Sequence, residues 1–318
     1  SLWVYTDKIG GQALCPITYD NGYIYSGFWV DETEYANYVC LSVKDENTKK
    51  ETESKNAKWT YKALGGCRIA RCSVTDKYVM FGKDDGKKNS ESSSKIISLD
   101  KSTGKAVSSL AVKGDIRSSV TYSAETDSYY VSSKAGYVYK FSMDSSGKLG
   151  SLKTYTAPGA VTATPVVYNG RLYVGCQNGS AGKFIVLDAK TMKEIYTADM
   201  QGYPQASMLI STGYEQTSGK IYIYSTYNAK PGGITAFEDS QGQTSVVKTE
   251  LFTPDTDMQQ YCISTVSAGE DGTLYYKNDS GNIFALREGK TGIQSLLQKI
   301  IDAIKNIIAK IITLFNKK

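Results

Sequence analysis

Two arginines, Arg68 and Arg117, occupy one position in two copies of a repeated strand motif. A guanidinium group binds a carboxylate or sulfate through two parallel N–H donors, so two of them at one channel mouth would suit an acidic ligand. Aligning every copy on the tetrapeptide TATP places neutral hydrogen-bonding groups at the same position. The predicted ligand-binding residues are Arg68, Arg117, Thr162, Gln205 and Tyr261. The alternative is that the two arginines bond loop carbonyls or open to solvent.

The same alignment predicts a second, mostly small set of residues two positions later, on the same face of each inner strand. This set comprises Cys15, Ala70, Ser119, Thr164, Ser207 and Ile263, with Ala13 completing the first set. Small side chains are expected where strands crowd around a central axis. The innermost strands are therefore predicted to line a channel, with the polar set at its mouth.

Histidine and cysteine usage excludes several kinds of chemistry. The chain contains no His, which removes His-dependent triads and His metal ligands. Six cysteines are scattered without a C-x-x-C motif or an adjacent pair, so no metal site is predicted. An even number permits disulfides, while single thiols are commonly buried as small apolar groups. No catalytic residue is predicted, because Asp recurs in the turns and a catalytic carboxylate pair cannot be singled out.

A repeat of short strands must position these residues. One apolar strand recurs as YIYSG (23–27), YVMFG (78–82), YYVSS (129–133), LYVGC (172–176), IYIYS (221–225) and LYYKN (274–278). Each copy is followed by a second strand, namely YVCLSV (38–43), IISLD (96–100), YVYKFSM (137–143), FIVLD (184–188), ITAFE (234–238) and IFALR (283–287). Turns with Asp and Gly, such as DKSTGK (100–105), then predict a hairpin into an outer strand.

The outer strand occurs in five copies, whereas each of the other two strands occurs in six. The copies are KWTYKA (58–63), AVSSLAV (106–112), SLKTYTA (151–157), KEIYTAD (193–199) and VVKTELFT (246–253). The opening LWVYTDK (2–8) has the aromatic signature of KWTYKA, so the first strand is predicted to complete the last blade and remove an exposed sheet edge. Residues 1–289 are therefore predicted to form an all-β, six-bladed β-propeller of four-stranded antiparallel blades, closed by the N-terminal strand.

The sequence pattern of this repeat resembles that of the pyrroloquinoline-quinone-like (PQQ-like) propeller family, most clearly over residues 162–199. A WD-type repeat is disfavoured because the chain has neither His nor a Trp-Asp dipeptide. The resemblance implies a quinone cofactor only in members that clamp it with an adjacent cysteine pair and a calcium-binding carboxylate site, usually on eight blades. Because no two cysteines are neighbours here, we expect no cofactor, and the repeat is interpreted as a structural unit.

Residues 290–318 follow a different period. Large apolar residues alternate at spacings of four and three, which is typical of an amphipathic helix. The residues predicted to contact an oligomer partner or a membrane are Ile293, Leu297, Ile300, Ile304, Ile307, Ile311 and Leu314. Lys299, Asp302 and Lys305 interrupt the run, so a transmembrane crossing is not expected. Such a helix would pack on its own propeller, associate with copies of itself or a partner, or lie on an anionic membrane.

The charge distribution limits the class of partner. The net charge is +5, and residues 292–318 carry four of these charges, so the main body has no basic patch for nucleic acid. The start without Met suggests that a signal or an upstream region has been removed. Together with the family resemblance, these features predict a bacterial, extracellular or cell-surface scaffold that binds a protein or an acidic glycan. The alternative is an extracellular polysaccharide lyase or hydrolase that uses the propeller face.

Overall fold

The computed structural model describes residues 2–87 and 92–287, and almost all regular structure in these ranges is β-strand. The strands of the first half are β1 Trp3–Val4, β2 Thr18–Asp20, β3 Tyr23–Gly27, β4 Tyr35–Ser42, β5 Glu53–Ser54, β6 Trp59–Leu64, β7 Ser73–Val74, β8 Tyr78–Gly82, β9 Ser93–Asp100, β10 Ala106–Lys113, β11 Thr121–Ser123, β12 Ser128–Ser133, β13 Tyr137–Met143 and β14 Leu149–Thr156. The strands of the second half are β15 Val166–Tyr168, β16 Arg171–Asn178, β17 Ala181–Asp188, β18 Glu194–Met200, β19 Leu209–Ser211, β20 Lys220–Thr226, β21 Ile234–Ser240, β22 Val247–Phe252, β23 Ser267–Ala268, β24 Leu274–Lys277 and β25 Ile283–Leu286. One helical turn, α1 (Glu215–Ser218), and a 3₁₀ helix (Thr256–Met258) complete the described elements.

The strands form repeated antiparallel sheets. Four strands each make up sheet 1 (β2, β3, β4, β6), sheet 2 (β7–β10), sheet 3 (β11–β14), sheet 4 (β15–β18) and sheet 5 (β19–β22). Sheet 6 contains β23–β25, and β1 pairs separately with β5. The prediction of an all-β, propeller-like fold with four-stranded antiparallel sheets is confirmed.

The described residues fall into two compact units: the first holds those up to Val266 together with Asn278–Asn282, and the second holds Ser267–Lys277 together with 283–287. Sheets 1–5 belong to the first unit, and the strands of sheet 6 belong to the second. Residues 288–318, which include the predicted C-terminal helix, lie outside the described residues. The boundary at residue 290 and the count of six blades therefore stay predictions. No helix in the described part of the chain is long and apolar enough to cross a membrane.

The second and third strands of each sheet supply the core, and aromatic side chains fill the space between neighbouring sheets. Tyr38 of sheet 1 stacks on Phe81 of sheet 2, with ring centroids 3.9 Å apart. Phe184 of sheet 4 stacks in the same way on Phe237 of sheet 5 at 4.0 Å. All four rings are buried, so each pair adds a favourable ring contact to the burial of apolar area. Packing between sheets is the role of these aromatic residues.

All six cysteines are buried, and none of them forms a disulfide. The Cys15 thiol donates to the Cys67 carbonyl oxygen at 2.9 Å, which joins the inner parts of sheets 1 and 2. Burial raises the pKa of the Cys40, Cys72 and Cys176 thiols to about 11. The sequence permitted either disulfides or single buried thiols, and the structure shows single thiols that act as small buried groups.

The N-terminal strand does not complete the last sheet, so the prediction that it closes the ring is wrong. β1 pairs in parallel with β5, with Trp3 opposite Glu53. The buried Asp7 carboxylate, which follows β1, accepts hydrogen bonds from Asn37 Nδ2 of β4 at 3.0 and 3.1 Å. The long connection between β4 and β6 contains β5, whose extended backbone pairs with β1. Asp7 holds the N-terminal segment beside sheet 1. These local contacts determine the pairing.

Chain direction in these antiparallel sheets brings two kinds of connection to each end. The connection that enters the first strand and the connection between the second and third strands meet at one end of a sheet, which we call the entry end. The hairpins between first and second and between third and fourth strands meet at the other end, which we call the hairpin end. Residues far apart in sequence can therefore share one surface at the entry end.

Candidate functional site

A polar cavity of about 350 Å³ opens at the entry ends of sheets 3, 4 and 5, and we call it the first cavity. Its side-chain lining includes Arg117, Lys134, Thr162, Gln177, Tyr203, Gln205 and Asn228. Every one of these residues lies in, or at the edge of, a connection that enters a first strand or joins a second strand to a third. The volume lies in the range of about 300–1,000 Å³ that is usual for small-ligand sites.

Three of the five predicted ligand-binding residues, Arg117, Thr162 and Gln205, line the first cavity together. The structure does not bring the other two into its lining. Tyr261 is about half exposed at 49%. The Arg68 guanidinium lies over the Trp29 ring, 4.9 Å from its centroid, and the Arg68 Nε atom is buried without a hydrogen-bond partner among the described residues.

The strand pairing explains why Arg68 lies elsewhere. The first paired residues of the inner strands are Thr18, Ser73, Thr121, Val166 and Leu209, opposite Tyr25, Met80, Tyr130, Tyr173 and Tyr224 respectively. Three positions earlier lies a small buried residue in each of sheets 1–5: Cys15, Ala70, Ser118, Ala163 and Ala206. This register makes Ile69, and not Arg68, the equivalent of Arg117. The sequence alignment is one residue out of register between sheets 1–2 and sheets 3–5, because inner strands of two or three residues are too short for alternation to fix it.

Residues of the second predicted set link neighbouring sheets through hydrogen bonds. The Arg71 backbone N–H donates to Ser119 Oγ at 3.0 Å, and the Ser119 N–H donates to Thr164 Oγ1 at 2.9 Å. The hydroxyl groups of Ser119 and Thr164 therefore satisfy backbone donors of the preceding sheet. Their small size matters because the inner strands approach closely enough for these contacts.

Arg117 is surrounded by three carboxylates. Its Nη2 atom donates to Glu32 at 2.9 Å, to Asp84 at 2.9 Å and to Asp115 at 3.0 Å, and its Nε atom donates to Asp84 at 3.3 Å. The Arg117 side chain is only 7% exposed. Since the guanidinium already has its carboxylates from within the chain, its role in the cavity wall is structural. The sequence analysis missed these three acidic residues. Glu32 and Asp84 come from other sheets, so no local pattern links them to Arg117.

Asp84 is the most deeply buried of these carboxylates. Burial raises its pKa to about 6, although the hydrogen bond and the charge of Arg117 oppose this shift. Trp29 Nε1 donates a further hydrogen bond to Asp84 at 3.2 Å. Gly65, with φ of +80°, allows the backbone to pass close by, because a Cβ there would lie 2.7 Å from the Asp84 carbonyl oxygen. Burial also raises the pKa of Asp115.

Lys134 is held much more loosely than Arg117. Its Nζ atom lies 3.7 Å from Glu32 and 3.9 Å from Asp115, and its side chain is 41% exposed. Both distances exceed the range of a good hydrogen bond, so these contacts are weak ion pairs. The Lys134 ammonium group is therefore available to hydrogen-bond a molecule in the first cavity.

The remaining polar side chains of the first cavity are neutral. The Thr162 and Tyr203 hydroxyl groups are 2.9 Å apart, and burial raises the pKa of Tyr203 to about 12. Asn228 Nδ2 approaches Gln205 Oε1 at 3.4 Å, which is a long hydrogen bond. Gln177 donates to the Gly179 carbonyl oxygen at 3.1 Å. Each amide keeps donors or acceptors that these contacts do not use.

A second cavity, of about 220 Å³, lies at the hairpin ends of sheets 4 and 5. Here the charged groups are tightly paired. Arg171 Nη1 donates to both carboxylate oxygens of Asp239 at 3.0 and 3.2 Å, and Tyr173 donates to Asp239 at 2.7 Å. Glu215 of α1 accepts from Asn169 Nδ2 at 2.6 Å and from the Tyr168 hydroxyl group. These contacts hold the two sheets together.

The residues around the first cavity do not fit the quinone cofactor of the PQQ-dependent enzymes. No cysteine lines the cavity, and the nearby Asp84 and Asp115 carboxylates face the Arg117 guanidinium. Within residues 2–87 and 92–287, no group of three or more His, Cys, Asp and Glu side chains is arranged to hold a metal ion. That the protein uses no cofactor stays a prediction from the sequence.

The fold belongs to the propeller class, and solved structures of that class resemble this chain. BamB from Moraxella catarrhalis, a PQQ-like propeller protein, matches with a TM-score of 0.53 and 12% identity over 88% of this chain and 74% of its own. The WD40 propeller domain of Doa1 matches with a TM-score of 0.52 and 15% identity, covering 91% of this chain and 82% of its own. A chain of the Mitotic Checkpoint Complex matches with a TM-score of 0.57 and 14% identity, covering 86% of this chain and 74% of its own.

The likeness to BamB confirms the predicted resemblance to a PQQ-like propeller fold, and the other likenesses agree with a propeller fold. At 12–15% identity they show the fold alone. No family model matches the sequence, and no curated protein matches it.

Proposed function

We propose that this protein is a non-catalytic binding propeller that holds a protein or glycan partner at the first cavity. The observation that carries the proposal is the convergence of Arg117, Thr162 and Gln205, from three different sheets, on one open polar cavity. The contacts to the partner come from the loosely held Lys134 and from the amide groups of Gln205 and Asn228. Arg117 holds the cavity wall in place through its carboxylate partners.

The wider setting of the proposal comes from the sequence and from the fold class. One of the similar propeller chains is part of a multi-protein complex, which supports a scaffold role for this kind of fold. We further propose a bacterial, extracellular or cell-surface location and a ring of six blades. Residues 290–318 would provide a helix for self-assembly or membrane attachment.

A crosslinking experiment tests the binding site. A photo-reactive amino acid replaces Gln205 at the first cavity, and in a control chain it replaces the exposed Gln241, which lies at the second cavity. Both chains are incubated with a glycan array and with a protein extract of the organism that encodes the chain. We expect adducts from position 205 only. Equal labelling from both positions, or none from position 205, would contradict the proposal.

The enzyme alternative has its own test. Incubation of the full chain with polysaccharides, followed by a reducing-end assay, measures glycosidic bond cleavage. Retention of a ligand without new reducing ends supports a binding module, whereas turnover supports a lyase or hydrolase.

The proposed role of residues 290–318 is tested by light scattering of the full chain and of a chain that ends at residue 289. A larger particle for the full chain alone supports self-assembly. Liposome binding by a monomeric full chain, absent from the shorter chain, supports membrane attachment. Identical behaviour of both chains would contradict both roles.

A further inference from the structure

The charges around the first cavity nearly cancel. Two cations, Arg117 and Lys134, face the three carboxylates of Glu32, Asp84 and Asp115. Arg117 and Lys134 line the cavity, and the three carboxylates that pair with them lie outside its lining. Because these carboxylates already compensate the two cations, little positive charge is left for a carboxylate or sulfate ligand. This compensation argues against the acidic glycan expected from the sequence.

Hydrogen-bonding capacity, in contrast, is plentiful and mixed in type. Among the described residues, Gln205 keeps its Nε2 donors, Asn228 its Oδ1 acceptor and Gln177 its Oε1 acceptor, because their hydrogen bonds use the other ends of the amides. Lys134 adds N–H donors. A molecule that carries many hydroxyl groups, each both donor and acceptor, matches this lining.

We infer that the first cavity binds an uncharged, hydroxyl-rich group, namely a residue of a neutral saccharide. This inference rests on the proposed function. Gln205 and Asn228 are its main contacts. Lys134 donates a hydrogen bond to a hydroxyl or ring oxygen and does not neutralise a ligand charge. Arg117 stays in its carboxylate network and keeps the wall in place.

The test is calorimetric titration of the full chain with neutral hexasaccharides of glucose, mannose and xylose, and with hexagalacturonate beside its methyl ester. The last pair keeps the sugar ring, and the ester replaces each carboxylate by a neutral group that is larger by one methyl. We expect at least one neutral probe to bind with a Kd below about 1 mM. The affinity should change less than about twofold between about 50 and about 500 mM salt, since no ligand charge is screened. The methyl ester should bind at least as tightly as hexagalacturonate.

Single substitutions then separate the roles of the side chains. Gln205→Ala should weaken the neutral probe about 5- to 10-fold, which is the usual weight of one or two neutral hydrogen bonds. Gln241→Ala, an exposed glutamine at the second cavity, should leave the affinity unchanged. Lys134→Met should weaken binding only a few-fold, as about one hydrogen bond requires.

Binding restricted to hexagalacturonate, steep weakening by salt, or loss of binding in Lys134→Met with none in Gln205→Ala would overturn the inference. Failure of every saccharide also overturns it, and crosslinking from position 205 then shows whether the proposed function survives. If a protein adduct forms at position 205 and not at position 241, the proposed function stands and the partner is a protein. Failure of both experiments removes the proposed function as well.

Discussion

The two cavities use similar residues for different purposes. Each has a buried arginine against buried carboxylate and a tyrosine hydroxyl group in its wall. In the second cavity Arg171, Tyr173 and Asp239 contact one another directly, with no separation above 3.2 Å among their hydrogen bonds. In the first cavity the arginine network lies to one side. The Asn228 and Gln205 amides are joined by one contact of 3.4 Å, and the other end of each amide has no partner among the described residues.

This difference shows how a repeated fold separates stability from binding. Polar groups that satisfy one another at a sheet boundary stabilise the packing and have little left to offer a ligand. Polar groups that are only partly satisfied stabilise the fold less, and they remain available to another molecule. Substitutions in the second cavity should therefore lower the free energy of unfolding, whereas substitutions of the neutral groups in the first cavity should alter binding.

The largest effect is expected from Arg171→Met. Asp239 has a side-chain exposure of 1%, and loss of its cation would leave a buried carboxylate without charge compensation. The free energy of unfolding should fall by about 3–5 kcal/mol, measured by chemical denaturation. The double change Arg171→Met with Asp239→Leu should recover much of this loss, because no charge then stays buried.

A matched control for Arg171→Met is Lys183→Met. This residue forms an ion pair with Asp199, whose side chain is 80% exposed, so the cost should stay below about 1 kcal/mol. Similar costs for Arg171→Met and Lys183→Met would mean that the second cavity is not a stabilising junction.

The next largest effect concerns the acidic side of the first cavity and depends on pH. Burial raises the pKa of Asp84 to about 6 from an ordinary value of 3.8, so the folded chain binds this proton more readily than the unfolded chain. The contribution of Asp84 to stability should therefore grow as the pH falls from about 7 to about 4, by on the order of 2–3 kcal/mol, and then level off.

Asp84→Asn should remove this part of the pH profile, measured as the difference in unfolding free energy between the variant and the original chain. Asp257→Asn, a change at an exposed carboxylate, serves as the control for the loss of one acidic group. A parallel profile for Asp84→Asn would show that the buried carboxylate does not titrate in this window.

Identical changes at two tyrosines compare the cavities directly. Tyr173→Phe removes a donor to a buried carboxylate and should cost about 1.5–3 kcal/mol, as hydrogen bonds to charged groups do. Tyr203→Phe removes a contact between two neutral hydroxyl groups and should cost about 0.5–1.5 kcal/mol. Denaturant midpoints of the two variants, with unchanged slopes, give the difference. Equal costs would remove the distinction between the cavities.

The smallest effect on stability is expected for Gln205→Ala. Its side-chain contact with Asn228 is 3.4 Å long and partly exposed, so the free energy of unfolding should change by less than about 0.5 kcal/mol. Thermal unfolding of Gln205→Ala beside Gln241→Ala checks this. A loss of stability well above that of Gln241→Ala would show that Gln205 holds the wall and is not reserved for a ligand.

The longer strands and the turn chemistry could be read from the sequence. The segments YIYSG and FIVLD coincide with β3 and the end of β17, because continuous apolar runs of this length are typical of buried strands. In the turn DKSTGK, Asp100 accepts the Thr103 N–H at 2.8 Å, as the recurrence of Asp in these turns predicts.

The inner strands and the site were harder to predict. Inner strands of two or three residues carry no periodicity, so the alignment placed Arg68 where Ile69 belongs. Arg117 was found because it recurs in the repeat as a polar position, but its partner Glu32 is 85 residues away in the sequence. No local pattern relates two connections of different sheets. The pairing of β1 with β5 was missed for the same reason, since it depends on backbone groups in a long connection.

The buried thiols have a practical consequence, because each can serve as a timed reporter of local opening. A thiol that is shielded in the folded chain reacts with an alkylating reagent only when its surroundings open. Cys15, Cys40, Cys67 and Cys72 lie in sheets 1 and 2 or the connections entering them, and Cys176 lies in sheet 4. Mass-spectrometric rates of alkylation at the separate cysteines would therefore rank the sheets by how often they open, without any substitution or label in the chain.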